Sequence, residues 1–102
     1  MTFPLDKFKG FETPFYYYDL DNLRQTLKAI KDETKNRTNF HVHFAVKANA
    51  NPRILEIIAE AGLGADCVSG GEIEAARAAG FSGNSIVYAG VGKSDREIHT
   101  AL

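Results

Sequence analysis

Apolar and polar residues alternate along residues 40–47, a pattern typical of a β-strand. Successive side chains of a strand point to opposite faces. One face therefore carries Phe40, Val42, Phe44 and Val46, and the other carries His41, His43, Ala45 and Lys47. A polar stretch, residues 48–51, follows directly. Lys47 is thus predicted to lie at the carboxyl end of the strand, beside the small side chain of Ala45.

Strand and helix patterns then alternate along the chain. Residues 1–14 are predicted to be irregular, because Pro4, Gly10 and Pro14 interrupt them, and residues 15–18 are predicted to form a short strand. The first long helix is indicated by an apolar stripe of Leu20, Leu23, Leu27 and Ile30, and it should end in the polar run 35–39. Strands are predicted at 40–47, 65–68 and 85–89, and helices at 51–61, at 72–79 and from Ser94 onward.

Two of these helix starts carry the spacing of a capping box. Ser69 precedes Glu72 by three residues, and Ser94 precedes Glu97 by three. In such a box the serine hydroxyl and the glutamate carboxylate each accept a hydrogen bond from a free backbone N–H of the first turn. Both helices are therefore predicted to begin at these serines.

Strand–helix alternation at this spacing predicts parallel strands joined by right-handed crossovers. The pattern is compatible with a doubly wound sheet and with a (β/α)-barrel. Three βα units are too few to close a barrel, which needs eight strands and roughly 250 residues. We therefore expect the chain to be the leading part of a larger protein.

Composition excludes several classes of function. The chain has 102 residues, of which 44% are hydrophobic and 25% charged, as expected for a small globular domain. Its net charge of −1 gives no reason to expect binding to nucleic acid or to an anionic membrane surface. The single cysteine excludes an internal disulfide and fits a reducing compartment. Without a membrane-length apolar run or a signal-peptide core, the sequence predicts a cytoplasmic protein.

Lys47 is the first candidate for chemistry. Ligands of parallel α/β folds bind at the carboxyl ends of the strands. A lysine in a partly dry site there loses its proton more easily, and its amine can attack a carbonyl to form a Schiff base. From position alone, an ordinary lysine that reaches solvent is the favoured interpretation, and a reactive lysine is the alternative.

Four segments, in this order, resemble the N-terminal part of the diaminopimelate decarboxylases. These enzymes are a branch of the fold-type III, alanine-racemase-like family of decarboxylases that depend on pyridoxal phosphate. The segments are residues 13–19 (TPFYYYD), 43–49 (HFAVKAN), 64–72 (GADCVSGGE) and 89–95 (AGVGKSD). The resemblance runs from about residue 13 to residue 102.

The resemblance implies an α/β fold in which residues 20–102 form the leading βα units of a pyridoxal-phosphate-binding (β/α)8 TIM barrel. Residues 1–19 would contribute to a separate β-domain. Lys47 matches the lysine that carries the cofactor as a Schiff base. The implied enzyme is a carboxy-lyase that converts meso-2,6-diaminopimelate, a small amino acid, into L-lysine and carbon dioxide. A homodimer is implied for the full-length protein, and the isolated chain is expected to be inactive.

Asp66, predicted at the end of the second barrel strand, matches an acidic residue that the family places close to the cofactor lysine. Its alternative role is to cap the turn before Gly70. Glu72 has a sufficient role in the capping box. The amides of Gly70 and Gly71 are able to bind an anion, but the resemblance implies that the phosphate loop lies after residue 102.

The other polar or reactive residues are interpreted structurally. Cys67 is predicted to be a core residue, His41 and His43 to be packed or hydrogen-bonded, and Lys93 to have a structural role. Two alternatives to the implied activity stay open. One is a related enzyme, either a decarboxylase of ornithine, arginine or carboxynorspermidine or a racemase. The other is a non-catalytic homologue that binds the cofactor and acts as a regulator.

Overall fold

The computed structural model describes residues 3–102 of the chain. From residue 20 onward, helices and strands alternate as the sequence pattern predicts. The elements are α1 (Leu5–Phe8), α2 (Leu20–Thr34), β1 (His43–Ala45), α3 (Pro52–Glu60), β2 (Gly64–Cys67), α4 (Gly70–Ala79), β3 (Ile86–Tyr88) and α5 (Asp95–Ala101). Two 3-10 turns, Val46–Ala48 and Gly83–Ser85, follow β1 and precede β3.

The three strands form one parallel sheet in the order β1-β2-β3. Across the sheet, Ala45 pairs with Asp66, and Asp66 pairs with Val87. These three residues form one row near the carboxyl edge of the sheet. Parallel pairing of consecutive strands, each followed by a helix, confirms the predicted α/β class.

The hydrophobic core lies between the helices and one face of the sheet. From β2, Ala65 and Cys67 both point into this core. The row formed by Ala45, Asp66 and Val87 alternates with those residues and so faces the other way. The buried apolar residues are Leu27, Val46, Ile54, Leu55, Ile57, Ile58, Ala65, Cys67, Ile73, Ala76 and Phe81. The opposite face is less covered, since Val87 is 48% exposed.

Helix caps explain where α2 and α3 begin and where α4 ends. The carboxylate of Asp19 accepts a hydrogen bond from the N–H of Asn22 and starts α2, and the side chain of Asn51 accepts one from Arg53 and starts α3. Gly80 ends α4 with φ of 107°, a left-handed conformation that favours glycine. The predicted helices therefore have local causes in the sequence.

The capping-box prediction is right at Ser94 and wrong at Ser69. The Ser94 hydroxyl and the Glu97 carboxylate satisfy each other's backbone N–H groups. At the start of α4 the Ser69 hydroxyl accepts from Glu72 N–H, but the Glu72 carboxylate accepts from Val68 N–H instead. Glu72 thus binds the backbone N–H of Val68, whereas a capping box would require the N–H of Ser69, one position later.

Two strand predictions need correction. Residues 15–18 are not a strand: among residues 3–102 the only sheet is the one formed by β1, β2 and β3, and Phe15 and Tyr17 pack against Phe8 instead. The strand predicted at 40–47 is shortened to β1, and at its carboxyl end the N–H of Asn49 donates to the carbonyl of Val46 and closes a 3-10 turn.

The N-terminal prediction also changes. Within the segment predicted as irregular, residues 5–8 form the single-turn helix α1. Met1 and Thr2, which the same prediction covers, lie outside the described residues. Among residues 3–102, the helices are all too short or too polar to span a bilayer.

Candidate functional site

Lys47 lies in the 3-10 turn that follows β1, at the carboxyl edge of the sheet. Its neighbour Val46 is completely buried in the core, whereas Lys47 itself is exposed. The buried Val46 anchors the turn, and the turn directs the next side chain away from the core. The structure therefore places Lys47 at the predicted edge, in a turn rather than on the strand.

Asp66 lies at the same edge of the sheet. It pairs in register with Ala45, two residues before Lys47. Asp66 is half-buried, and its Oδ1 atom is fully buried without a hydrogen-bond partner among the described residues. Buried carboxylate oxygens are normally satisfied, so an unpartnered one indicates that a further polar group belongs beside it.

These residues fit an aldehyde cofactor such as pyridoxal phosphate. The exposed amine of Lys47 provides the nucleophile that an aldehyde requires. The unsatisfied Oδ1 of Asp66 provides a hydrogen-bond acceptor at the same edge. Ala45, which pairs with Asp66 and precedes Lys47 by two residues, has only a methyl side chain. The parallel register of β1 and β2 thus places the two site residues predicted from the sequence at the same edge of the sheet.

The backbone amide of Gly70 is less suited to hold an anion than the sequence suggests. The N–H of Gly70 already donates to the carboxylate of Glu97, at 3.1 Å between nitrogen and Oε2. An added phosphate would have to displace this internal carboxylate. The interpretation that phosphate binds elsewhere is therefore favoured.

Glu97 is a residue whose wider role the sequence did not indicate. Its carboxylate accepts hydrogen bonds from the N–H of Gly70, the N–H of Ser94 and the hydroxyl of Tyr88. These donors, that of Gly70 first, lower the pKa of Glu97 below its ordinary value of 4.5. Tyr88 in turn has a raised pKa, through desolvation and then the bond to Glu97. The spacing from Ser94 predicted one of these contacts.

Cys67 is a core residue, as predicted. It is completely buried, and desolvation, followed by the negative charges of Glu72 and Asp66, raises the pKa of its thiol to about 11. Such a thiol is almost entirely protonated at neutral pH and is a poor nucleophile. Cys67 is therefore unsuited to covalent catalysis.

The histidines and Lys93 also take non-catalytic places. His43 begins β1 and pairs with Gly64, at the amino edge of the sheet, opposite to the edge of Lys47. His41 is exposed ahead of that strand and makes no side-chain hydrogen bond to another described residue, so its prediction as packed or hydrogen-bonded is wrong. Lys93 donates from Nζ to the carbonyl of Gly90 at 3.1 Å, and it lies 5.0 Å from the ring centre of Tyr88. These contacts stabilise the loop after β3, in agreement with the structural interpretation of Lys93.

Comparison with known proteins gives consistent results. The profile of the family described as "Pyridoxal-dependent decarboxylase, pyridoxal binding domain" matches residues 20–102. A diaminopimelate decarboxylase of Bacteroides thetaiotaomicron is 61% identical over 98% of this chain and 26% of its own length. An L-glutamyl-[BtrI acyl-carrier protein] decarboxylase of Niallia circulans is 36% identical over 92% of this chain and 22% of its own.

A solved structure is similar as well. The crystal structure of diaminopimelate decarboxylase from Helicobacter pylori complexed with L-lysine matches with a TM-score of 0.84 and 43% sequence identity. The match covers 95% of this chain and 24% of that one. The chain spans about a quarter of the length of the relatives that it matches.

Proposed function

Because the chain belongs to the family of pyridoxal-dependent decarboxylases, as part of their pyridoxal-binding domain, we propose that it carries the cofactor lysine of a diaminopimelate decarboxylase. The proposed reaction converts meso-2,6-diaminopimelate into L-lysine and carbon dioxide. The observation that carries the proposal is the placement of Lys47 and Asp66 together at the carboxyl edge of one parallel sheet. The 61% identity to a diaminopimelate decarboxylase supports the choice of substrate.

Lys47 would hold pyridoxal phosphate covalently through its Nζ. When bound, the cofactor supplies a protonated pyridine ring that accepts the electrons left behind as carbon dioxide departs. The amine of Lys47 can also hold and deliver a proton at this edge of the sheet. Asp66, through the unsatisfied Oδ1, would orient the Lys47 ammonium group or a polar group of the cofactor.

The incompletely covered face of the sheet supports the proposed architecture. In a (β/α)8-barrel the strand face opposite the helices points to the barrel interior. The row of Ala45, Asp66 and Val87 lies on that face. We propose that residues 20–102 form the first βα units of such a barrel and that residues 1–19 contribute to a separate β-domain. A homodimer and a cytoplasmic location remain predictions for the full-length protein.

A related decarboxylase is the second candidate. The 36% identity to a decarboxylase that acts on an L-glutamyl acyl-carrier protein indicates that this part of the chain is shared by enzymes with different substrates. The family match alone therefore does not select the substrate. The proposal of diaminopimelate decarboxylase rests on the higher identity to enzymes of that name.

The test is release of carbon dioxide by the full-length protein, supplied with pyridoxal phosphate and, in turn, meso-diaminopimelate, ornithine and arginine. We expect the highest kcat/KM with meso-diaminopimelate. The Lys47→Arg variant, which keeps the positive charge but cannot attach the cofactor, should lose this activity. A preference for ornithine or arginine would favour the second candidate. Bound cofactor without turnover of any amino acid would favour a regulatory homologue.

A further inference from the structure

The turn that carries Lys47 is held from two sides by Asn49. The backbone N–H of Asn49 donates to the carbonyl of Val46 at 3.0 Å and closes the turn around Lys47. The side chain of Asn49 makes two further bonds. Its Oδ1 accepts from the N–H of Asn51 at 2.9 Å, and its Nδ2 donates to the hydroxyl of Tyr18 at 3.2 Å.

These bonds connect the turn to two helices. Asn51 is the N-cap of α3, and its side chain accepts from the N–H of Arg53 at 3.0 Å. Tyr18 directly precedes Asp19, the N-cap of α2. The side chain of Asn49 therefore joins the turn to α3 within the same stretch of chain, and to α2 through a residue 31 positions earlier.

The segment that contains Tyr18 lies outside the helix–strand alternation. Residues 15–18 belong to no helix or strand. Among the described hydrogen bonds that join two side chains, the one between Tyr18 and Asn49 spans the largest sequence separation. Tyr18 also lines a small cavity of about 250 Å³ with Ala48, Asn49 and Ile54. Tyr18 thus lies beside the turn as well as bonding to it.

We propose that Tyr18 and Asn49 are positioning residues for Lys47, acting as a clamp that fixes the turn from which its side chain leaves. The inference rests on the proposed function, in which the Lys47 Nζ attaches pyridoxal phosphate. Attachment to an aldehyde held elsewhere in the site requires the amine to lie in one place, and a looser turn lowers its effective concentration there. Neither Tyr18 nor Asn49 has to touch the cofactor for this effect.

The change that tests the clamp is Tyr18→Phe, which removes the hydroxyl and keeps the ring. The matched control is Tyr16→Phe. Tyr16 is 88% exposed and stacks on Tyr18 with ring centres 6.4 Å apart. Both variants lose one hydroxyl, but only Tyr18→Phe removes the bond to Asn49.

The readout is the concentration of pyridoxal phosphate that gives half-maximal labelling of Lys47. Full-length apoprotein is titrated with the cofactor, reduced with borohydride and mapped by peptide mass spectrometry. The exposed Lys28 of α2 is the internal reference in each sample. For Tyr18→Phe we expect the half-maximal concentration to rise about three- to tenfold, the range that loss of one hydrogen bond produces. Labelling of Lys28 and the thermal midpoint should change little.

A double-mutant cycle separates the clamp from two independent effects. Asn49→Ser keeps an acceptor for the N–H of Asn51 but is too short to reach Tyr18. The half-maximal concentration of the double variant should be no higher than the higher of the two single-variant values, because both changes break the same bond. Fully additive effects would overturn the proposal.

The outcomes also distinguish this inference from the proposed function. If wild-type Lys47 is labelled no more readily than Lys28, the proposed function itself fails. If Lys47 is labelled selectively but Tyr18→Phe and Tyr16→Phe have the same half-maximal concentration, the clamp is wrong and the proposed function stands. A fall in kcat at unchanged KM for Tyr18→Phe would further support a positioning role, since Lys47 acts in the chemical step.

Discussion

The carboxylate of Glu97 accepts a hydrogen bond from the backbone N–H of Gly70, which lies 27 residues earlier in the chain. The bond joins the first turn of α5 to the first turn of α4, at the carboxyl edge of the sheet. The same carboxylate oxygen also accepts from the hydroxyl of Tyr88. Two consecutive βα loops are thus held together by one side chain, close to the edge that carries Lys47 and Asp66.

This network predicts an acid-sensitive contribution to stability. The lowered pKa of Glu97 means that its carboxylate favours the folded state above the ordinary value of 4.5, and that this contribution is lost as the pH falls through the folded-state pKa. Glu97→Gln cannot accept from all three groups and should lower the urea midpoint at pH 7. The difference from wild type should shrink below pH 4.5.

Chemical unfolding at several pH values, followed by circular dichroism, provides the measurement. Glu74→Gln is the matched control, because Glu74 is an exposed glutamate of α4. Its urea midpoint should stay close to that of wild type. A constant difference between Glu97→Gln and wild type from pH 3 to pH 7 would contradict the assigned ionisation of Glu97.

Asp66→Asn should lower activity without lowering stability. Because the Oδ1 atom of Asp66 is buried without a hydrogen-bond partner among the described residues, replacing the carboxylate by an uncharged amide is expected to leave the free energy of unfolding unchanged or to raise it by about 1 kcal/mol. If Asp66 orients Lys47 or the cofactor, kcat/KM of the full-length protein should fall by about 100-fold. Unfolding curves and steady-state assays on the same samples decide this. Unchanged activity with reduced stability would assign Asp66 a purely structural role.

The close packing around Gly64, at the amino edge of the sheet, leaves no space for a larger side chain. A Cβ at this position would lie 2.6 Å from the carbonyl oxygen of Ser85 and would also collide with the ring of His43. Because backbone cannot yield as a flexible side chain can, Gly64→Ala should lower the free energy of unfolding by about 2 kcal/mol. At Gly71 an added Cβ would lie 4.0 Å from the hydroxyl oxygen of Ser69, an ordinary van der Waals contact, so Gly71→Ala serves as the control. Equal urea midpoints for the two variants would contradict the close packing.

Cys67 should resist alkylation in the folded protein. A rise of its pKa from 9.0 to about 11 lowers the thiolate fraction roughly 100-fold at pH 8, and burial hinders access as well. We expect iodoacetamide to label Cys67 at least about 100-fold more slowly in native protein than in 6 M guanidinium chloride. Intact-mass measurements over time give both rates. Similar rates would show that the thiol is accessible in the folded state.

Most of the elements that the sequence predicts correctly have a local cause in the chain. Helix α2 follows from the stripe of Leu20, Leu23, Leu27 and Ile30, because one side of a helix must be apolar to pack. Lys47 and Asp66 were found as candidates because parallel strands bring their carboxyl ends to one edge. The family resemblance then favoured a barrel over a doubly wound sheet.

The contacts that the sequence did not predict join residues far apart in the chain. Neither the bond from Gly70 to Glu97 nor the bond from Asn49 to Tyr18 leaves a periodic signal, since each depends on how separate elements pack. The strand predicted at residues 15–18 failed for a related reason. Aromatic residues suit a strand, but a strand also needs a neighbour with which to exchange hydrogen bonds.

The central claim is that Lys47 attaches pyridoxal phosphate, and peptide mapping after borohydride reduction tests it most directly. The full-length protein is incubated with stoichiometric cofactor, reduced, digested and analysed by mass spectrometry, with the Lys47→Arg variant treated in parallel. We predict the pyridoxyl mass on the peptide that contains Lys47, close to one label per chain, and none at stoichiometric level in the variant. A stoichiometric label on another lysine, with Lys47 unmodified, would contradict the account.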